Sequence, residues 1–267
     1  MIETWLESED RLRLLVEPEL ESADPALRGA LVAHLDAFIA FHGMEIDDVV
    51  RLTYAFLRRH KGHVKGFLET RRYPAERAAD VEPVDRTEYE LALLLSTLTT
   101  WHRYRIMELV AGLAGAGGGS AAVIGCGPGL ELSLLSGSFD ELLAFDIEIS
   151  PFCAHRRPAE AKLIEAPFTG AERDLAAVYL IELLEHVDDP FGLVDLAVRS
   201  TAAGGQVVLT TVTDEPQFDH VRNFGEGEVE SFCAARGLAI AQHHEIPHRS
   251  RRPGHAPRSD LFVIQGA

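Results

Sequence analysis

The chain has 267 residues, 46% of them hydrophobic, which is enough to bury the core of one large or two modest domains. Its formal net charge of −17 repels phosphate backbones and argues against broad nucleic-acid binding. Only Cys126, Cys153 and Cys233 carry thiols, which give no disulfide framework and no zinc pattern. With no signal-peptide pattern at Met1–Trp5 and no apolar run near the roughly 20 residues that span a bilayer, a soluble, cytoplasmic protein without a membrane partner is expected.

The first part of the chain reads as helical. Asp24 is a cap followed by Pro25 at the first helical position, and Leu27, Leu31, Leu35 and Ile39 recur every four residues until Gly43 ends the run. A second helix is expected from Glu45 to about Thr70. It carries Arg51, Arg58, Arg59, Lys61 and Lys65, which with Arg71 and Arg72 form a basic segment. Arg249, Arg251, Arg252 and Arg258 form another. Such clusters are solvated surface or a local site for an anionic substrate. Asp85 and Glu88 are spaced as a capping box before a long apolar stretch, Leu91–Leu113. Tyr89, Trp101, His102, Arg103 and Tyr104 give this stretch an unusual polar and aromatic density. The plainer reading of them is an aromatic core with partly exposed polar ends.

The glycine cluster around Gly115, Gly117, Gly118 and Gly119 cannot continue a helix cheaply and divides the chain. Short apolar runs then alternate with helical patterns. Strands are expected at 121–125, 142–146, 162–166, 175–181, 206–212, 238–243 and 260–265, with helices after Gly129, over 191–200 and over 226–235. This alternation implies an α/β fold with a mostly parallel sheet covered on both faces. No helical pattern separates the last two strands, so they should pair antiparallel. The expected division is residues 1–115 as an all-α region and 116–267 as the sheet domain.

Two features carry the chemistry. Gly125-Cys126-Gly127-Pro128-Gly129 lies between a strand and a helix, where glycine lets a ligand approach the backbone and the helix offers free N–H groups. Asp146 ends the next strand, where a carboxylate can accept hydrogen bonds from two ribose hydroxyls while the adjacent Ile147 packs on a base. Each has a plainer reading, a structural turn and a helix cap. A nicotinamide-binding fold is disfavoured because Leu130 departs from the G-x-G-x-x-G spacing.

At these residues the chain resembles the class I S-adenosylmethionine (SAM)-dependent methyltransferases. The glycine loop is similar to their motif I, and Glu182-Leu183-Leu184-Glu185-His186-Val187-Asp188-Asp189-Pro190-Phe191 to the segment after their fourth strand. Gly204–Thr211 is similar to their fifth strand, and His220-Val221-Arg222-Asn223-Phe224 to the segment that follows it. The resemblance implies a Rossmann-like sheet in the order 3-2-1-4-5-7-6. It also implies cofactor contacts from Gly125, Cys126, Gly127, Gly129, Asp146, Ile147, Glu165, Ile181 and Glu182. In relatives the helices before motif I often cover the cofactor and bind the methyl acceptor, which implies residues 1–115 as a cap and acceptor-binding region over a SAM-binding domain at 116–267, with Tyr89, Trp101, His102, Arg103 and Tyr104 as acceptor-site candidates. His186, His220 and Tyr104 are the catalytic candidates. Val123 stands where many relatives have an acid.

In small-RNA 3′-end methyltransferases and some ubiquinone-pathway O-methyltransferases, acids and histidines similar to Glu182, Glu185, His186 and His220 bind a divalent metal. Many relatives with this segment bind none, and no metal is assigned here. The expected activity is SAM-dependent methylation of a small molecule. Transfer or cyclisation of the aminocarboxypropyl arm is the enzymatic alternative, and a non-catalytic SAM-binding module is the other. Neither the attacking atom nor the oligomeric state is specified by these motifs.

Overall fold

The computed structural model describes residues 1–70, 84–114, 118–215, 217, 220–249 and 256–265. The expected boundary at 115/116 and the basic residues Arg71, Arg72, Arg251 and Arg252 lie outside them. Two short helices, α1 (Ile2–Ser8) and α2 (Asp10–Arg13), lead through a 3-10 turn to α3 (Pro25–His42). The Asp24 carboxylate accepts from the Leu27 N–H, Pro25 fills the first turn, and Gly43 closes the helix at φ 62°. In α4 (Ile46–Thr70), Arg51, Arg58, Lys61 and Lys65 are exposed while Val49, Val50, Val64 and Phe67 are buried.

Asp85 caps α5 (Arg86–Thr99), accepting from the N–H groups of Thr87 and Glu88. The reciprocal half of the expected capping box is not made, because the buried Glu88 carboxylate pairs with Arg59 of α4 instead. An ion pair that joins two helices displaces a local backbone bond. The stretch Leu91–Leu113 is also not one run. It breaks at Thr100, which is extended (φ −122°, ψ 132°), and resumes as α6 (Trp101–Leu113). The hydroxyls of Ser96, Thr97, Thr99 and Thr100 each bond back to a carbonyl three or four residues earlier. Such bonds weaken a helix. Glu17 bridges the break, donating its N–H to the Thr99 carbonyl at 2.9 Å and accepting from the Trp101 N–H at 2.7 Å.

The sheet holds β1 (Ser120–Ile124), β2 (Glu141–Asp146), β3 (Ala161–Glu165), β4 (Leu175–Leu180), β5 (Thr201–Thr213), β6 (Ala239–Pro247) and β7 (Arg258–Gln265), in the order 3-2-1-4-5-7-6. β7 is antiparallel to both of its neighbours. The interleaved helices are α7 (Leu130–Leu135), α8 (Pro151–Arg156), α9 (Pro190–Ser200) and α10 (Glu228–Arg236). The six-residue α8 was not anticipated, although Ser150 caps it and Pro151 opens it.

Strand side chains alternate between two cores. Val123, Ala144, Tyr179 and Val208 pack toward Leu35, Phe38, Leu91, Met107 and Phe152. Ile124, Phe145, Val178 and Leu209 pack toward Val194, Ala197, Val229 and Phe232. The N-terminal helices thus supply much of the cover on one sheet face, and their core is continuous with the strands. His34 of α3 is buried in this layer, and its ring nitrogens lie 2.9 Å from the Ser133 Oγ and 3.1 Å from the Pro128 carbonyl. This links the first long helix to the glycine loop. No helix among the described residues is long and apolar enough to cross a membrane.

Candidate functional site

β1 lies between β2 and β4. The chain therefore reverses direction across the sheet there, and the loops after these strands diverge to leave a crevice at their carboxyl ends. The glycine loop fills one side. Gly125, Gly127 and Gly129 all have positive φ, at 72°, 44° and 76°. A Cβ on Gly125 would meet Leu183 at 2.8 Å and one on Gly129 would meet Cys153 Sγ at 2.9 Å, whereas one on Gly127 would meet nothing within 4 Å. The outer glycines let neighbouring side chains close in, and the middle one faces open space. This is a cradle that a Cβ would fill.

Asp146 organises the same loop. Its carboxylate accepts from the Gly127 N–H at 3.0 Å and from the Glu148 N–H at 3.2 Å, and lines a cavity with Tyr89, Leu93 and Pro128. Ile147 beside it is 81% exposed. Glu165 pairs with Asp146 in the β2–β3 register and accepts from the Ile149 N–H at 3.1 Å, tying down the loop after β2.

The other side is built from buried charge. Ile181 follows β4, and Glu182 turns the chain with φ 50°, a left-handed conformation uncommon for glutamate. Its N–H donates to Thr210 Oγ1 at 2.6 Å. Its carboxylate meets Arg103 of α6 at 2.5 Å, with side chains only 15% and 12% exposed. Burial opposes the Arg103 charge, but the carboxylates of Glu182 and Glu131 outweigh it and raise its pKa. Burial raises the Glu131 carboxyl.

The carbonyl of Glu185 accepts from the Val221 and Arg222 N–H groups, which brings the segment after β5 against the segment after β4. His186 and His220 then lie ring to ring at 4.9 Å, and one ligand atom from each of Glu185, His186 and His220 falls within 4.8 Å of the others. Glu185 Oε2 and His220 Nδ1 are buried without a hydrogen-bond partner. Burial and the nearby Glu182 push the Glu185 carboxyl up to about 7, while burial and His186 push His220 down to about 3. Glu182, whose Oε2 is held by Arg103, is not part of this cluster.

Glycine loop, Asp146, Ile181, Glu182, His186 and His220 therefore come together around adjoining cavities. Of the aromatic and polar candidates on the helices, Tyr89, His102 and Arg103 line them. Tyr104 does not. It is fully buried in the helical core, stacked with Trp101, with its hydroxyl 3.4 Å from the Asp24 carbonyl. A helix places adjacent residues about 100° apart, so His102 and Arg103 turn inward while Tyr104 turns away. Sequence reasoning missed Glu131, although it closes the motif I run. It also missed a partly buried triad in which Glu215 lies 3.1 Å from His60 and 3.3 Å from His248, with His102 stacked on His248 at 3.7 Å. Burial opposes the Glu215 charge, but the two histidines outweigh it and hold its pKa well below the usual range. Its members lie on three distant segments, and no local spacing marks them.

The structure resembles a SAM-dependent methyltransferase of Leishmania major at TM-score 0.52 and 12% identity, over 72% of this chain and 81% of that one. It also resembles a mycolic acid cyclopropane synthase complexed with S-adenosylhomocysteine and CTAB, at 0.51 and 13% over 64% and 85%. This is the class I methyltransferase fold. A Burkholderia thailandensis 1,6-didemethyltoxoflavin-N1-methyltransferase, with bound 1,6-didemethyltoxoflavin and S-adenosylhomocysteine, shares the fold at 0.50 and 15% over 70% and 93%. No family model matches the sequence, and neither does any curated protein.

Proposed function

We propose that the chain binds SAM along the glycine loop and transfers its methyl group to a small molecule held under the helices of residues 1–115. The observation that carries this is the crevice itself, in which an open glycine cradle, a strand-end carboxylate and a buried acidic wall adjoin at the switch point of a methyltransferase fold. Gly125, Cys126, Gly127 and Gly129 would lie against the methionine part, Asp146 would hold the ribose, and Ile147 and Glu165 would flank the adenine. Ile181 and Glu182 would line the reacting end. When bound, SAM supplies a methyl group on a good leaving group.

The chain itself has to align the acceptor and exclude water, and positioning of this kind contributes roughly 7–11 kcal/mol in favourable cases. α5 and α6 do this by placing Tyr89, Leu93 and Arg103 over the loop. His220 stays neutral around pH 7, so its unpaired Nδ1 can take part in a hydrogen bond with the acceptor, although a pKa pushed this low makes it a weak proton acceptor and leaves His186 beside it as the better base candidate. Residues 1–115 act in this reading as a cap and 116–267 as the SAM-binding domain, in a soluble cytoplasmic enzyme without nucleic-acid partners. Tyr104 is left as a support of the cap.

Calorimetry with S-adenosylhomocysteine and with NAD tests the cofactor, with micromolar binding of the first and none of the second expected. NAD binding without S-adenosylhomocysteine binding would overturn the reading. Product analysis after turnover tests the transferred group, since release of methylthioadenosine would replace methyl transfer by transfer of the aminocarboxypropyl arm.

The unpaired atoms of Glu185 and His220 favour a second reading, a divalent cation on Glu185, His186 and His220. Carboxylate and imidazole donors suit Mg²⁺ or Mn²⁺ moderately well, and such an ion acts as a Lewis acid on an acceptor oxygen. Mn²⁺ titration followed by electron paramagnetic resonance should show one bound ion that His220→Ala loses. Equal signals from both proteins would remove this reading.

A further inference from the structure

We infer that the methyl acceptor is an alcohol with an elongated apolar body, admitted between α4 and α5; this rests on the methyl-transfer reading above. Three cavities adjoin in sequence. The innermost lies against the glycine loop and shares Leu93, Arg103, Glu182 and His220 with the next one out. That middle cavity shares Phe56, Leu57, Ala92, Ser96 and Thr100 with an outer groove, which continues along Leu15, Val16 and Leu95. The outer mouth is edged by Leu14, which is 76% exposed.

The walls of this corridor decide what fills it. Phe56 and Leu57 on α4 face Ala92 and Leu95 on α5, and the Ser96 and Thr100 hydroxyls in the same wall bond back to carbonyls of α5, so the passage is mainly apolar where the two cavities join. A small polar acceptor would gain nothing from such walls. Each methylene lying along them should tighten binding about fourfold. The His60–Glu215–His248 triad lines the middle cavity, but its members bond one another, so it presents no ionic partner to an acceptor.

The inner end decides the head group. Glu131, Glu182 and Glu185 line the innermost cavity, and Arg103, which already pairs with Glu182, lines it too. Among the described residues no lysine or other arginine lines it, so no unpaired cation of that kind is left to hold a carboxylate or phosphate head. The Glu182 carboxylate holds an adjacent amine as ammonium, which has no lone pair with which to attack. A hydroxyl meets neither obstacle, and the buried, unpaired Glu182 Oε1 and Gln217 Oε1 are placed to accept from it. The basic residues Arg51, Arg58, Lys61 and Lys65 are exposed and line none of these cavities, and the two arginines that line the outer groove are paired, Arg13 with Asp10 and Arg249 with Glu19, so these residues give no support to an anionic acceptor.

The test is calorimetry on the full chain in EDTA buffer with saturating S-adenosylhomocysteine, using n-alkan-1-ols from hexanol to decanol, decanoate and decylamine. Kd should fall about fourfold per methylene, and decan-1-ol should bind at least about tenfold more tightly than decanoate or decylamine. Ala92→Phe and, independently, Ser96→Leu should remove the gain from the longer chains while leaving S-adenosylhomocysteine affinity within about twofold. Affinity that ignores chain length, or decanoate or decylamine binding as well as decan-1-ol, would overturn the proposal. So would a variant that melts normally yet keeps the full gain. If the wild-type chain fails to bind S-adenosylhomocysteine, the cofactor reading falls, and the same alcohol series without it still decides the corridor.

Discussion

The two halves of the crevice are held by different forces. On the cofactor side the contacts are mostly main-chain. Gly125 and Cys126 donate to the Phe145 carbonyl, Gly129 donates to the Cys126 carbonyl, and Asp146 accepts from two backbone N–H groups. On the acceptor side the contacts are between largely buried polar side chains, the Arg103–Glu182 ion pair and Glu215 against two histidines. Backbone bonds survive most side-chain changes outside the glycines. A buried ion pair does not, because removing one partner strands the other in a medium that solvates charge poorly. The acceptor side should therefore be the fragile half.

The sharpest way to break this contrast is Arg103→Met. Glu182 would be left buried beside Glu131 and Glu185, at a cost of about 3–5 kcal/mol. Thermal unfolding should show a large fall in Tm, and adding Glu182→Gln should recover most of it without recovering turnover. A single variant that melts like the wild type would mean that the pair is solvated and the contrast is wrong.

A smaller effect is expected where the two halves meet the helices. His34 is neutral in its site, and burial lowers its pKa to about 4. The unfolded chain holds a proton there up to about pH 6.5 and the folded chain only below about pH 4. The unfolded state therefore binds more protons between those limits, and stability falls as pH drops from about 6.5 to about 4, by at most about 3 kcal/mol. His34→Gln can still donate to the Pro128 carbonyl and accept from the Ser133 hydroxyl, but does not titrate. Chemical denaturation between pH 4 and 7 should give the variant a flatter profile than the wild type. Parallel profiles would assign the acid sensitivity to other groups.

The same division explains what the sequence disclosed. The strands and the glycine loop were legible because they rest on local periodicity and on residues within one strand-loop-helix unit, whereas the strand order came only with the resemblance to the class I methyltransferases. Asp146 was legible for the same reason, one strand later. Arg103 was visible only as one of several polar residues, since its partner Glu182 lies far along the chain. Tyr104 was misplaced because one position around α6 separates the core from the cavity, and the break at Thr100 that sets this phase depends on Glu17. His60, Glu215 and His248 have no mutual spacing to read, and only the packing of α4 against the ends of β5 and β6 joins them.

Asp146 is where the main-chain half should prove tolerant in structure yet sensitive in binding. In the ligand-free chain its two oxygens hold the Gly127 and Glu148 N–H groups, so it is a loop organiser as well as the residue proposed to hold the ribose. Asp146→Asn keeps one carbonyl oxygen for the loop but replaces the other oxygen by an amide nitrogen, which cannot accept a hydrogen bond. It also removes the charge that strengthens such bonds. Loss of one hydrogen bond to a charged acceptor costs about 1.5–3 kcal/mol, so S-adenosylhomocysteine affinity should fall at least about tenfold. The melting temperature should move by less than about 4 °C, as for a stability change below about 1 kcal/mol in a chain of this size. Calorimetry and thermal unfolding on the same preparation separate the two effects. Unchanged affinity with a large loss of Tm would make Asp146 a loop fastener alone, and would move the ribose contact to another residue of the crevice.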